Sequence, residues 1–234
     1  MRIDVLTLFP GLIEAFFSES ILGRAVEREF VSYRAVNIRD FATDRHRTAD
    51  DAPYGGGAGM VLKPGPLGAA LDSVRAGERR TIYPSPSGRP FTQAVAAELA
   101  QEQELVFICG RYEGVDQRII DYYVDDELTI GDYVVSSGEL SALVIIDAVV
   151  RLIDGVIAPE SLSEESFTDG LLEYPQYTRP EVYRGMAVPE ILLTGHHERI
   201  RQWRHEQRVA KTRANRPDLA AGETPQGNDQ TNDE

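Results

Sequence analysis

Two apolar runs, each followed by a polar turn that contains glycines, dominate the middle of the chain. The first run is residues 105–109, which ends in the turn GRYEG at residues 110–114. The second run is residues 127–130, which is followed by GDYVVSSGE at residues 131–139. A helix-like segment, residues 115–123, lies between them, so the unit is typical of βαβ. Open parallel sheets bind ligands beyond the carboxyl ends of their strands, so this stretch is the predicted centre of a ligand site.

The remaining pattern predicts alternating strands and helices around this unit. Residues 140–153 are apolar nearly all round, which predicts a buried helix, and Ser20 is a candidate cap of an earlier helix. The alternation predicts an α/β domain with a parallel sheet and with ligand-binding turns after three strands. Further strands are expected at residues 2–8, 30–38 and 80–83, and helices at 12–17, 20–26, 66–75 and 92–101.

A long polar connection, residues 39–63, interrupts the alternation. It carries three arginines, His46 and the glycine-rich run GGGAG at residues 55–59. The run lacks the third glycine of a dinucleotide fingerprint, and the chain contains no Gly-Lys-Ser/Thr of a P-loop. Connections this long are functional or disordered, so a binding loop and a flexible surface loop are both open.

The pattern changes after the buried helix. Residues 158–170 are acidic and without periodicity, which is typical of a linker, and residues 171–186 are rich in tyrosine and proline. A basic helix is expected at residues 196–213, with Trp203 in its buried stripe. The helix could bind RNA or present a solvated charged face. Residues 220–234 are poor in apolar side chains, which predicts disorder.

Composition and charge restrict the class of protein. The net charge of −14 argues against a nucleic-acid partner, but residues 196–217 hold six arginines and Lys211 against two acids. The single cysteine, Cys109, excludes an internal disulfide and sits in an apolar run, where a buried side chain is expected. The amino terminus has no signal-sequence pattern, and residues 140–153 are too few to span a bilayer, so a cytoplasmic protein with no membrane partner is expected.

Short motifs follow one another in a fixed order from residue 45 to residue 196. They are RHRT at 45–48, PYGGG at 53–57, GM at 59–60, CGRYEG at 109–114, TIGDYV at 129–134, GEL at 138–140, DGLL at 169–172, YTRP at 177–180 and GH at 195–196. In this order they resemble the motifs of the bacterial tRNA (guanine-N1-)-methyltransferases. The resemblance covers roughly residues 1–219 and is far more specific than a single glycine pattern.

This resemblance implies a fold that topology rules alone would exclude. The family belongs to the SPOUT-type RNA methyltransferases, so we expect an α/β fold with a parallel sheet, a deep C-terminal trefoil knot and a small, mostly helical C-terminal domain. The implied boundaries are a knotted S-adenosylmethionine-binding domain at 1–159, a linker at 160–171, a helical tRNA-binding domain at 172–220 and a disordered acidic tail at 221–234. A homodimer that shares each active site between subunits is also implied.

The resemblance also implies the reaction. S-adenosyl-L-methionine would donate a methyl group to N1 of the guanosine 3′ of the anticodon, tRNA position 37, and so maintain the reading frame. Magnesium is implied as well, although the sequence shows no cluster of metal ligands. Three knot loops would bind the methyl donor through Tyr83, Pro84, Ser85, Pro86, Gly110, Tyr112, Glu113, Gly114, Ile130, Gly131, Asp132, Tyr133, Val134, Val135, Ser137 and Gly138.

The chemistry requires a base and a cation. Guanine N1 carries a proton at neutral pH, so a carboxylate within hydrogen-bond reach should remove it, while a cation near O6 stabilises the developing charge. By motif position the cation is Arg151. The family's base is the aspartate of Asp-Ser-Phe, where this chain has Glu165, with Asp169 as a nearby alternative. A solvated linker acid is the other interpretation of Glu165, whose extra methylene displaces the carboxylate by about a bond length.

Two further positions depart from the family's Ser-Gly-Gly-Glu-Leu-Pro. Ser137 replaces a glycine and would have to adopt a glycine-like backbone conformation, and Ser141 replaces a proline near the start of the buried helix. Two other functions remain open: a knotted methyltransferase for another RNA base, and an RNA-binding protein without catalysis. Contacts to the anticodon stem-loop are expected from Arg24, Arg45, His46, Asp50, Ser166, Arg199, Arg204, Arg208 and Arg213.

Overall fold

The structure, a computed structural model, describes residues 1–159, 161 and 164–220. The chain divides into two compact units, Met1–Ile157 and Ala158–Glu234. The predicted tail at 221–234 and part of the predicted linker lie outside the described residues. Within the described ranges, no helix has the length and apolar character needed to cross a membrane.

A five-stranded parallel sheet forms the centre of the first unit. The strands of this unit are β1 (Arg2–Thr7), β2 (Ser32–Asn37), β3 (Asp50–Asp51), β4 (Val61–Leu62), β5 (Arg80–Pro90), β6 (Glu104–Ile108) and β7 (Asp126–Thr129). The large sheet has the order β2-β1-β6-β5-β7, and β3 pairs with β4 in a separate antiparallel hairpin. The predicted parallel α/β sheet is therefore confirmed.

Helices cover both faces of this sheet. They are α1 (Pro10–Phe17), α2 (Ser20–Glu27), α3 (Pro64–Ser73), α4 (Gln93–Leu99), α5 (Gln117–Tyr123) and α6 (Gly138–Val150), with 3-10 turns at Ile38–Phe41 and Ala76–Glu78. Successive strand residues point to opposite faces, so β1 contributes Ile3 and Val5 to one apolar cluster and Leu6 to the other. The cluster of Ile3 contains α6, and the cluster of Leu6 contains α3 and α5.

Three predictions about these elements were wrong. Ser20 does not cap α2, because Glu19 holds the cap position and Ser20 is the first helical residue. Strand β5 continues through the predicted turn to Pro90, because residues after a register shift at Pro84/Arg89 pair with β7 again. Helix α6 is not buried all round, since Leu140 and Val144 are 48% and 49% exposed.

The second unit is built on one long helix. Its described elements are the hairpin strands β8 (Val182–Tyr183) and β9 (Met186–Ala187), a 3-10 turn at Glu190–Leu193, and the helices α7 (His197–Asn215) and α8 (Pro217–Ala220). Helix α7 is the predicted basic helix, two residues longer at its carboxyl end. Trp203 is half-buried near the ring of Tyr177, with a centroid distance of 6.4 Å, and Thr212 is fully buried.

Candidate functional site

A cavity of about 350 Å³ opens beside the carboxyl ends of β6 and β7 in the first unit. Three chain segments enclose it, and they follow or belong to the neighbouring strands β6, β5 and β7. The lining residues are Tyr83, Pro84, Ser85, Pro86, Ser87, Gly110, Arg111, Tyr112, Glu113, Gly114, Leu128, Thr129, Ile130, Tyr133, Val134, Val135, Ser136, Ser137, Gly138 and Ser141.

The cavity contains every predicted cofactor-binding residue except Gly131 and Asp132. The structure adds residues that the sequence analysis did not select. Arg111 lay inside the motif GRYEG, which was a signal that could have pointed to it. Thr129, Ser136 and Ser141 also lay inside quoted motifs, whereas two others carry no distinctive motif of their own: Ser87 and Leu128.

Two glycines allow the walls of the cavity to meet. The Gly138 N–H donates to the Gly110 carbonyl oxygen over 2.9 Å. A Cβ on Gly138 would lie 2.5 Å from the Gly110 backbone nitrogen, and a Cβ on Gly110 would lie 2.9 Å from the Tyr83 ring. Side chains at these two positions would therefore separate the loops that form the cavity.

The two serines that depart from the family motif fit their positions. Ser137 has φ −159° and ψ 145°, an extended conformation that every residue adopts, so the expected glycine-like backbone is wrong at this position. Helix α6 begins at Gly138 without the family's proline, and Ser141 is buried in its first turn at the cavity wall. Both serines therefore fit the backbone around the cavity without strain.

A buried carboxylate joins the start of α6 to the end of β1. The Thr7 hydroxyl donates to Glu139 Oε1 over 2.6 Å and accepts from the Phe9 N–H over 2.8 Å. Glu139 is fully buried, and its Oε2 has no hydrogen-bond partner within the described part of the chain. Burial, and secondly the Glu139 charge, raises the pKa of the Cys109 thiol well above its usual value. Cys109 is thus a protonated core residue, as its sequence context predicted.

Replacement of Thr7 by valine should test this buried link. Thr7→Val removes the donor to Glu139 and the acceptor for the Phe9 N–H, so we expect the free energy of unfolding to fall by about 1–3 kcal/mol. Urea unfolding followed by circular dichroism measures the change. Thr7→Ser keeps the hydroxyl and should lose less than half as much. Equal losses in the two variants would show that the methyl group, rather than the hydroxyl, stabilises this position.

The polar connection is tied to the cavity by backbone hydrogen bonds. Glu113 N–H donates to the Met60 carbonyl over 3.0 Å, and Leu62 N–H donates to the Gly114 carbonyl over 3.0 Å. The connection contains the β3–β4 hairpin, so it is not wholly irregular. Of its predicted RNA-binding residues, Asp50 is half-buried in β3; the exposed ones are Arg45 and His46.

In the second unit, two predicted RNA-binding arginines contact other side chains of that unit. Arg208 Nη1 donates to Asp169 Oδ2 over 2.8 Å, and Arg208 also pairs with the other carboxylate oxygen. This hydrogen bonding holds the pKa of Asp169 below its usual range. Arg204 lies 4.5 Å from the centroid of the Tyr174 ring and 3.4 Å from a Glu164 oxygen. Both arginines therefore have a structural role.

The remaining predicted residues are distributed over both units. Arg151 is half-buried and follows α6 in the first unit, and Glu165 is half-buried in the second. Ser166 Oγ accepts from the Glu173 N–H over 3.0 Å. Three further predicted RNA contacts have exposed side chains, as Arg45 and His46 do: Arg24, Arg199 and Arg213.

Potential metal ligands do not converge in the described ranges. No group of three or more histidine, cysteine, aspartate or glutamate side chains is placed there to hold a metal ion. The described residues therefore do not form a set of ligands for the magnesium that the resemblance implied.

The fold and the cavity define an α/β domain with a cavity of small-molecule size at the carboxyl edge of a parallel sheet. The sequence model of a family described as tRNA (Guanine-1)-methyltransferase TrmD matches residues 1–222. Relatives named tRNA (guanine-N(1)-)-methyltransferase occur in Treponema denticola, 64% identical over 94% of this chain and 90% of the relative, and in Treponema pallidum, 59% identical over 94% and 88%. The one in Borrelia hermsii is 57% identical over 94% and 92%. The chain belongs to this family of methyltransferases, which confirms the resemblance read from its motifs.

Proposed function

We propose that the protein transfers a methyl group from S-adenosyl-L-methionine to N1 of the guanosine 3′ of the anticodon, tRNA position 37, in the cytoplasm. The observation that carries this proposal is the cavity at the β6 and β7 ends, whose walls contain the family's motifs. Methylation at this position maintains the reading frame in translation. The substrate would be the anticodon stem-loop of tRNA.

The cavity fits the methyl donor. Its volume of about 350 Å³ lies in the range of small-molecule sites, and it combines backbone amides of glycine loops with apolar side chains such as Leu128 and Ile130. Backbone groups can hydrogen-bond adenine and ribose without a charged partner, and Gly110 and Gly138 allow close approach. The bound donor supplies an electrophilic methyl group on a sulfonium.

Glu165 is the proposed base and Arg151 the proposed cation. Removal of the N1 proton by Glu165 makes N1 nucleophilic, and the Arg151 guanidinium stabilises negative charge at O6. Asp169 is less suited to the same task, because the hydrogen bonds from Arg208 stabilise its ionised form and lower its pKa. A base with a lowered pKa accepts a proton less readily, which argues against Asp169, and Glu165 is proposed because it holds the position of the base in the family's motif.

We also propose that the cavity loops belong to a trefoil knot and that two copies form a homodimer sharing each active site. The half-exposed Leu140 and Val144 support the dimer, because they lie one turn apart on a helix whose other large apolar residues are buried. A second apolar surface would remove both from water. In this proposal residues 1–159 form the methyltransferase domain, 160–171 the linker and 172–220 the tRNA-binding domain.

A labelling experiment tests the proposed function. The protein is incubated with methyl-labelled S-adenosylmethionine and with tRNA transcripts that carry guanosine or adenosine 3′ of the anticodon. We expect label only in the guanosine transcript, recovered as 1-methylguanosine after nuclease digestion. Label at another base would support the alternative function, a knotted methyltransferase that acts on another RNA base. Binding of the tRNA without any label would support the RNA-binding protein without catalysis.

A further inference from the structure

Two arginines contact one phenylalanine at the rim of the cavity. Phe9 follows β1, Arg39 lies in the 3-10 turn after β2, and Arg111 follows β6. These strands are neighbours and parallel, so their carboxyl ends bring the three residues together. The guanidinium carbons of Arg39 and Arg111 lie 5.9 Å and 4.8 Å from the centroid of the Phe9 ring, which is 38% exposed.

Arg39 is held by a backbone carbonyl and Arg111 by the Phe9 ring, and neither contact is with an acid. Arg39 Nη1 donates to the Leu8 carbonyl over 3.0 Å, and the Phe9 N–H is fixed by Thr7. Across the described ranges, neither Arg39 nor Arg111 forms an ion pair with an acid. Two like charges gathered on one ring repel each other, so the arrangement favours an anion.

The acids of the adjoining segments do not supply that anion. Asp40 pairs with Arg47. Glu139 is fully buried and accepts from Thr7. The Glu113 side chain packs against Gly59, where a Cβ would lie 2.3 Å from its Oε1.

We propose that Phe9, Arg39 and Arg111 form an arginine shelf that binds oxyanions of the RNA backbone next to the target nucleotide. This inference rests on the proposed function for the identity of the RNA. Arg111 lines the cavity and Arg39 does not, so an anion that contacts both guanidinium groups lies at the rim rather than in the space of the methyl donor. Guanidinium groups match phosphate geometry, which suits this position. The carboxylate of the methyl donor is the other source of the same chemistry.

The salt dependence of tRNA binding tests the shelf. Binding of a tRNA transcript is measured over a series of salt concentrations for the wild type, Arg39→Gln and Arg111→Gln. Loss of each phosphate contact should make the slope of log K against log salt shallower by roughly 0.7–0.9. Arg75→Gln is the matched control, because Arg75 is an exposed arginine paired with Glu78 just before β5, and its slope should equal that of the wild type. Affinity for S-adenosylmethionine, measured by calorimetry, should not change in Arg39→Gln or Arg75→Gln, because neither arginine lines the cavity.

Each result decides for or against the shelf. Unchanged slopes in both glutamine variants would overturn it. Unchanged slopes with lost affinity for S-adenosylmethionine would assign the oxyanion to the methyl donor and overturn the RNA assignment. Arg39→Lys and Arg111→Lys keep the charge and should keep the slope, which separates loss of charge from loss of folding. If the wild type fails to methylate guanosine while the slopes still change, the proposed reaction is wrong and the shelf stands.

Discussion

Glu165→Gln is expected to lower the rate of methyl transfer by roughly 100-fold or more, with unchanged affinity for S-adenosylmethionine, since a general base contributes about 10²–10⁴-fold. The amide has nearly the shape of the carboxylate but cannot accept the N1 proton. Single-turnover assays with labelled S-adenosylmethionine and saturating tRNA isolate the chemical step. Calorimetric titration of the same protein samples checks donor binding.

Neighbouring acids provide the controls for Glu165. Glu164→Gln changes the preceding acid, which accepts from the Tyr174 hydroxyl and pairs with Arg204, so it should reduce stability more than the rate. Asp169→Asn retains an oxygen that can accept from Arg208 and should keep the rate within a few-fold of wild type. An active Glu165→Gln together with an inactive Asp169→Asn would move the base to Asp169.

Glu165→Asp tests whether the glutamate that replaces the family's aspartate can be exchanged for the shorter acid. It restores the family's shorter acid and still offers a carboxylate, so it should retain far more activity than Glu165→Gln. A rate as low as that of Glu165→Gln would indicate that this chain positions its base for the longer side chain. That outcome would contradict the expectation that either acid serves as the base at this position.

Local signals explain how much of this fold could be predicted. Strand β6, predicted at residues 105–109 and found at Glu104–Ile108, is marked by an unbroken apolar run, and the turn after it is marked by glycines. Both signals act over a few residues. The cavity lies where those turns converge, and almost all of the predicted cofactor-binding residues line it. Strand β5 was predicted too short because its pairing with β7 resumes after Pro84, which only the neighbouring strand reveals.

Long-range side-chain pairs were not predictable in the same way. Thr7 and Glu139 are 132 positions apart, and nothing in either local pattern indicates that they share a hydrogen bond. The same holds for the contacts of Phe9 with Arg39 and Arg111, which depend on the order of strands in the sheet. The roles of the second unit's basic residues also depend on such pairs, since charge pattern alone does not separate an arginine bound to an acid from an exposed one.

Gly138→Ala is expected to abolish detectable binding of S-adenosylmethionine, a loss of at least about 100-fold. The added methyl would lie 2.5 Å from the Gly110 nitrogen and 2.9 Å from its carbonyl oxygen, so only backbone movement can relieve the overlap. That movement separates two walls of the cavity and lengthens the hydrogen bond from Gly138 to Gly110. Overpacking of this kind also lowers the free energy of unfolding by about 1–3 kcal/mol. Calorimetric titration and urea unfolding measure the two effects.

Two control variants show whether the loss in Gly138→Ala comes from the steric overlap with Gly110. One replaces a different glycine by alanine, and the other changes the residue next to Gly138. In Gly68→Ala the added methyl meets Ile119 Cδ1 at 3.6 Å, an ordinary contact, and the position is inside α3, so stability should rise by roughly 0.5–1 kcal/mol. Ser137→Gly changes the adjacent residue, whose φ of −159° needs no glycine, so donor affinity should stay within a few-fold of wild type. Normal binding by Gly138→Ala would mean that the loops tolerate separation, and the close contact of Gly110 with Gly138 would then not be what forms the donor site.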